Sequence, residues 1–108
     1  MNGQFKKRNA NPWPVIKLYL PETGLAWLVT AMNPECRNQL YGLYCHGSNP
    51  AMGDFYLDHL LELKNQHGKG IRLDKSFKPK YPISVYARAA YDANKIIEDK
   101  RILRKFIK

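Results

Sequence analysis

Leu25-Ala26-Trp27-Leu28-Val29-Thr30-Ala31-Met32 is almost wholly apolar, and its reading decides the fold. A strand with one solvated face alternates apolar and polar residues; this one does not, so it belongs at the centre of a sheet covered on both sides. Its partner lies just upstream. Residues 15–20 alternate, with Ile16, Leu18 and Leu20 on one face and Lys17 and Tyr19 on the other. Pro21-Glu22-Thr23-Gly24 between the two runs has turn chemistry, which makes a hairpin.

Outward from that hairpin the pattern continues. Asn33-Pro34-Glu35 ends the apolar strand, and residues 40–45 read as a third strand. Gly47-Ser48-Asn49-Pro50 reads as a loop and residues 54–57 as a short fourth strand. Asp58 is placed to cap a short helix over residues 59–67 with Leu60, Leu61 and Leu63 inward, and Gly68 suits its C-terminal end. Residues 71–77 read as a fifth strand, with Ile71, Leu73 and Phe77 pointing one way. Lys78-Pro79-Lys80-Tyr81-Pro82 is an extended basic link. From Ser84, a capping residue, Tyr86, Ala89, Ala90, Ala93, Ile96, Ile97, Leu103, Phe106 and Ile107 recur at a three-to-four-residue step, which predicts one long C-terminal helix. The expected fold is α+β: a mainly antiparallel sheet of four or five strands, one short helix and one longer C-terminal helix.

At 108 residues the chain makes one domain. Its 44% hydrophobic and 12% aromatic content supports a core and excludes global disorder. Residues 1–14 read as a flexible N-terminal tail and residues 15–108 as the domain, with Trp13 held between Pro12 and Pro14. No apolar run reaches the roughly 20 residues of a membrane span, and no apolar stretch follows Lys6-Lys7-Arg8 as a secretory signal requires. Cys36 and Cys45 do not make a disulfide framework and read as free thiols. The reading is a cytoplasmic protein with no membrane partner.

Lys17-Leu18-Tyr19-Leu20-Pro21, Ala26-Trp27-Leu28-Val29-Thr30, Tyr41-Gly42-Leu43, Gly53, Leu57-Asp58-His59-Leu60, Ile71, Asp74 and Phe77-Lys78-Pro79 follow one another in a familiar order. Over residues 15–86 the chain resembles a family of small proteins of unknown function carried on plasmids, conjugative elements and phages. The resemblance implies a mobile-element setting. It also marks departures: Thr30-Ala31 where the family tends to have Thr-Glu, Ala51-Met52-Gly53-Asp54 where it tends to have Glu-Leu-Gly-Tyr, and Leu73-Asp74 where it tends to have Arg-Asp. Two acids and one arginine are thus replaced, which argues against an enzyme.

Charge is the feature that points to a partner. Residues 64–108 hold 13 Lys/Arg and 4 Asp/Glu, whereas residues 1–63 hold five of each, so the net +9 belongs to the C-terminal part. Such a surface attracts polyanions, whether nucleic acid or an acidic or nucleoprotein partner. Lys75, Lys78, Lys80, Tyr81, Lys100, Arg101, Arg104 and Lys105 are the expected binding residues, the lysines and arginines for phosphate and Tyr81 for a base. Trp13 is a candidate protein-partner anchor. His46, His59 and His67 with Cys36 and Cys45 lack the spacing of a zinc site, and Cys45-His46 would point to opposite faces of a strand. Asp54, Asp58 and Asp74 could gather as acid-base carboxylates if the fold brought them together. No metal, cofactor or catalytic residue is expected. The favoured function is a non-enzymatic mobile-element accessory protein that binds nucleic acid or a nucleoprotein complex through its basic C-terminal surface. The alternative is a protein-binding inhibitor of a host defence system, anti-CRISPR-like, with a small hydrolase or nuclease a distant third.

Overall fold

The computed structural model describes residues 11–45 and 49–107. Its elements are β1 (Ile16–Tyr19), β2 (Ala26–Asn33), β3 (Cys36–Cys45), β4 (Ala51–Tyr56), α1 (Leu57–Leu61), β5 (Arg72–Leu73), α2 (Ile83–Ala93), α3 (Lys100–Leu103) and a closing 3-10 turn (Arg104–Phe106). The five strands form one antiparallel sheet in the order β4-β3-β2-β1-β5. The fold is α+β, with β2 central as its apolar sequence requires.

Both faces of β2 are covered. Trp27 and Val29 point to one side, joining Leu18, Leu40, Phe55 and Leu60 of α1, with Leu63 and Ile71 at the margin. Leu28 points to the other, joining Leu43, the α2 residues Ile83, Val85, Tyr86, Ala87, Ala89 and Ala90, and then Ile97 and Leu103. Trp27 and Leu28 are both 0% exposed. Gly42 of β3 lies opposite Val29, beside a bulge in the β2–β3 ladder. A Cβ there would sit 2.0 Å from the Leu28 carbonyl oxygen, so only glycine fits.

Several boundaries differ from those read in the sequence. The third strand starts at Cys36 because Asn33 pairs with Cys36 across a tight turn, Asn33 Oδ1 accepting from Glu35 N–H at 2.9 Å. The fourth begins at Ala51, where it pairs with Tyr44, and runs antiparallel to β3 as far as the Gln39–Tyr56 pair. The fifth is only two residues long. Asp74 Oδ1 accepts from both the backbone N–H and the hydroxyl of Ser76, at 3.0 and 2.7 Å, and this local turn ends the strand. As a result Ile71 and Phe77 flank different cores and Leu73 is exposed. α1 starts one residue before Asp58, whose N–H donates to Asn38 Oδ1 at 2.8 Å, and stops at Leu61, which faces solvent. Asn65 then organises the loop: its Oδ1 accepts from His67 and Lys69 N–H, and its Nδ2 donates to the Pro21 carbonyl.

The largest correction is the C-terminal helix. It is not one helix but three pieces. α2 begins at Ile83, with Pro82 rather than Ser84 at the cap position, and ends at Asn94, whose left-handed φ of 59° suits an Asn C-cap. Asp99 starts α3 by accepting from Arg101 N–H at 2.9 Å. The break lets Ile97 and Leu103 fold back onto the core that α2 covers, which a straight helix would carry away from the sheet. Arg88 fastens the end: its Nε and Nη2 donate to the Phe106 carbonyl at 2.9 and 2.7 Å.

Of the segment expected to be a tail, residues 1–10 lie outside the described residues. Asn11 to Pro14 run along the start of α2. Ile83 N–H donates to the Pro12 carbonyl at 2.7 Å, Ser84 N–H donates to Asn11 Oδ1 at 3.0 Å, and the Pro14 side chain is fully buried.

Candidate nucleic-acid interface

The sequence-predicted basic residues fall into two groups. Lys75, Lys78 and Lys80, with half-buried Tyr81, line the link from β5 to α2. Lys100, Arg101, Arg104 and Lys105 line α3 and the 3-10 turn. All seven cations are exposed. Buried Tyr86 holds the first group in place: its hydroxyl accepts from Lys80 N–H at 3.0 Å, and its ring lies 6.3 Å from that of Phe77. Burial pushes the Tyr86 hydroxyl above its ordinary pKa, so it stays neutral as that acceptor.

Lys17 ties the two groups together, and sequence reasoning missed it. Its ammonium lies 3.7 Å from an Asp74 carboxylate oxygen and pairs with Glu98. Asp74 precedes Lys75, and Glu98 comes just before α3, so this ion-pair cluster draws the starts of both basic groups toward the β1–β5 edge. Lys17 is only 17% exposed, and the sequence had placed it no further than on the face of β1 that carries Tyr19. The hydrogen bond from the Ser76 hydroxyl first, and Lys17 further, hold the Asp74 carboxyl below the usual carboxylate range.

The cluster also limits the positive stripe. One lysine against two carboxylates leaves its junction acidic. Arg101 is engaged by Asp99, with nitrogen–oxygen distances of 3.4 and 3.3 Å, and these bonds lower the Asp99 pKa and raise that of Arg101. Among the described residues no carboxylate is within ion-pair distance of Lys75, Lys78, Lys80, Lys100, Arg104 or Lys105. These six cations remain available to phosphate.

The carboxylates do not gather. Asp54 is on β4 and Asp74 follows β5, at opposite edges of the sheet, so Asp74 does not approach Asp54 and Asp58. Its ion-pair partner is Lys17, not the neighbouring Arg72 or Lys75. His59 sits against Asp58, and His67 Nε2 lies 3.1 Å from Glu22, both on the surface. His46 lies outside the described residues. Cys36 is exposed and Cys45 buried, at the two ends of β3, and both are free thiols. Among the described residues no three His, Cys, Asp or Glu side chains cluster as metal ligands. No helix among them is long and apolar enough to cross a membrane.

The family described as Protein of unknown function (DUF2958) matches residues 1–97. The chain belongs to this family. The DUF2958 match is wider than the motifs at residues 15–86 and takes in the whole sheet, α2 and the link from Lys75 to Tyr81. It ends at Ile97, so Lys100, Arg101, Arg104 and Lys105 lie beyond the DUF2958 region. No curated protein and no solved structure matches the chain.

Proposed function

We propose that this protein is a non-enzymatic accessory protein of a mobile element, and that its basic C-terminal surface binds nucleic acid or a nucleoprotein complex. The observation that carries the reading is the set of six exposed cations with no carboxylate beside them among the described residues, Lys75, Lys78, Lys80, Lys100, Arg104 and Lys105. They sit on the solvent side of segments that also cover the sheet, so their backbones are held by the core. Fixed cations that gain phosphate contacts release condensed counterions, which is the main source of affinity for a polyanion. The plasmid, conjugative-element and phage setting comes with the resemblance, and a cytoplasmic location fits both the setting and the free thiols.

A second reading, inhibition of a host defence protein through a protein interface, draws on Trp13, which is 51% exposed. The test uses fluorescence anisotropy of a labelled DNA duplex at low salt. Lys78, Lys80, Lys100 and Arg104, all changed to Glu, abolish binding, while the variant stays folded, each change costing about 0.5 kcal/mol or less because all four side chains are on the surface. Absence of binding by the wild-type chain would refute the reading.

A further inference from the structure

The fold brings the backbone at Trp13 alongside the end of the first basic link, although the two are far apart in sequence. Ile83 N–H donates to the Pro12 carbonyl and Ser84 N–H to the Asn11 side chain, so the two segments run in opposite senses. Stepping back from Ile83 toward Tyr81 therefore follows the chain from Pro12 toward Trp13 and Pro14. Tyr81 packs on the core while staying partly exposed, and Pro14 is fully buried beside Trp13 in sequence. Both aromatic residues thus rise from anchored backbone. Lys78 and Lys80 precede Tyr81 on a link fixed by the Tyr86 hydroxyl. Val15 and Met32 are also largely exposed at this end of the β1–β2 pair.

We propose that Trp13 and Tyr81 form a base-stacking platform for single-stranded nucleic acid, with Lys78 and Lys80 holding its phosphates. The inference rests on the nucleic-acid reading above and narrows it to unpaired strands. Exposed apolar surface interleaved with cations suits a chain that offers both π-faces and phosphates, because stacking accepts any base while lysine tracks the backbone. A duplex hides its base faces and leaves Trp13 unused.

Trp27 is fully buried and Trp13 is exposed, so a change in acrylamide-quenchable tryptophan emission reports on Trp13. The titration uses the full chain with three probes of equal charge: a 12-residue oligothymidylate, the uridylate RNA of the same length, and an abasic deoxyribose-phosphate oligomer. The expected result is quenching by both base-bearing strands and affinity for them about ten-fold or more above that for the abasic oligomer. Trp13→Ala, with its fold checked by circular dichroism, removes that advantage and leaves duplex binding unchanged. Equal affinity for abasic and base-bearing strands overturns the platform while the electrostatic reading stands. If none of these probes and no duplex binds at low salt, both fall. If Trp13→Ala leaves single-strand binding intact, Trp13 is not the platform, and its role as a protein anchor takes precedence.

Discussion

Residues 1–63 carry equal numbers of acids and bases and build β1 to β4 with α1, whereas residues 64–108 carry all of the net +9 charge and build β5, α2, α3 and the closing turn. The first part makes the sheet; the second adds one edge strand and roofs one face. The roof meets the sheet through Tyr86, Ala89, Ala90, Ile97 and Leu103, all turned inward. Apart from Arg88 and Asp74, its described charged residues are exposed. The comparison teaches that one segment can anchor itself by apolar residues and present its charge on others. Stability should therefore follow substitutions in the sheet, and binding should follow substitutions on the roof.

Trp27→Ala is the largest expected loss. It empties a fully buried site at the sheet centre and should cost about 3–5 kcal/mol in a denaturant titration. A near-native midpoint would mean that the sheet is not the stabilising part and would break the comparison.

A smaller effect probes the seam between the two parts. The folded-state pKa of Asp74 is depressed, so this carboxylate contributes stability that is present above its unfolded pKa, about 4, and is lost as pH falls through the folded value. Ser76→Ala removes the first cause of that depression. The variant should be less stable than wild type at neutral pH, and its stability should fall less between neutral and acid pH. Parallel pH profiles for the two proteins would show that the Asp74 turn does not couple to folding.

How much of this was legible depends on whether the signal was local. The β2 stretch announced itself because an uninterrupted apolar strand has only one place in a sheet, and the Pro21–Gly24 turn fixed its first neighbour. The C-terminal break was also written in the chain: Asn94 suits a left-handed cap and Asp99 an N-cap. The apolar step through Ile96, Ile97 and Leu103 masked it, because a core that curves back produces nearly the same spacing as a straight helix. Lys17 was not legible. Its partners Asp74 and Glu98 come from distant segments, and one lysine on a short strand carries no mark of them. The same holds for Trp13: its proline frame could be read, but the alignment of its segment with the start of α2 rests on two hydrogen bonds between stretches far apart in sequence.

The most direct test of the division between sheet and roof is the salt dependence of duplex DNA binding, measured by anisotropy for three proteins. They are the wild type, a roof variant with Lys75, Lys78 and Lys80 changed to Glu, and a sheet variant with exposed Arg37 of β3 changed to Glu. With six phosphates neutralised, the slope of log affinity against log salt should be about −5 for the wild type, at roughly 0.9 per phosphate. The roof variant should lose about 3 from its magnitude. The Arg37→Glu variant should keep the wild-type slope. A wild-type slope near zero, or an equal loss from Arg37→Glu, would contradict the account.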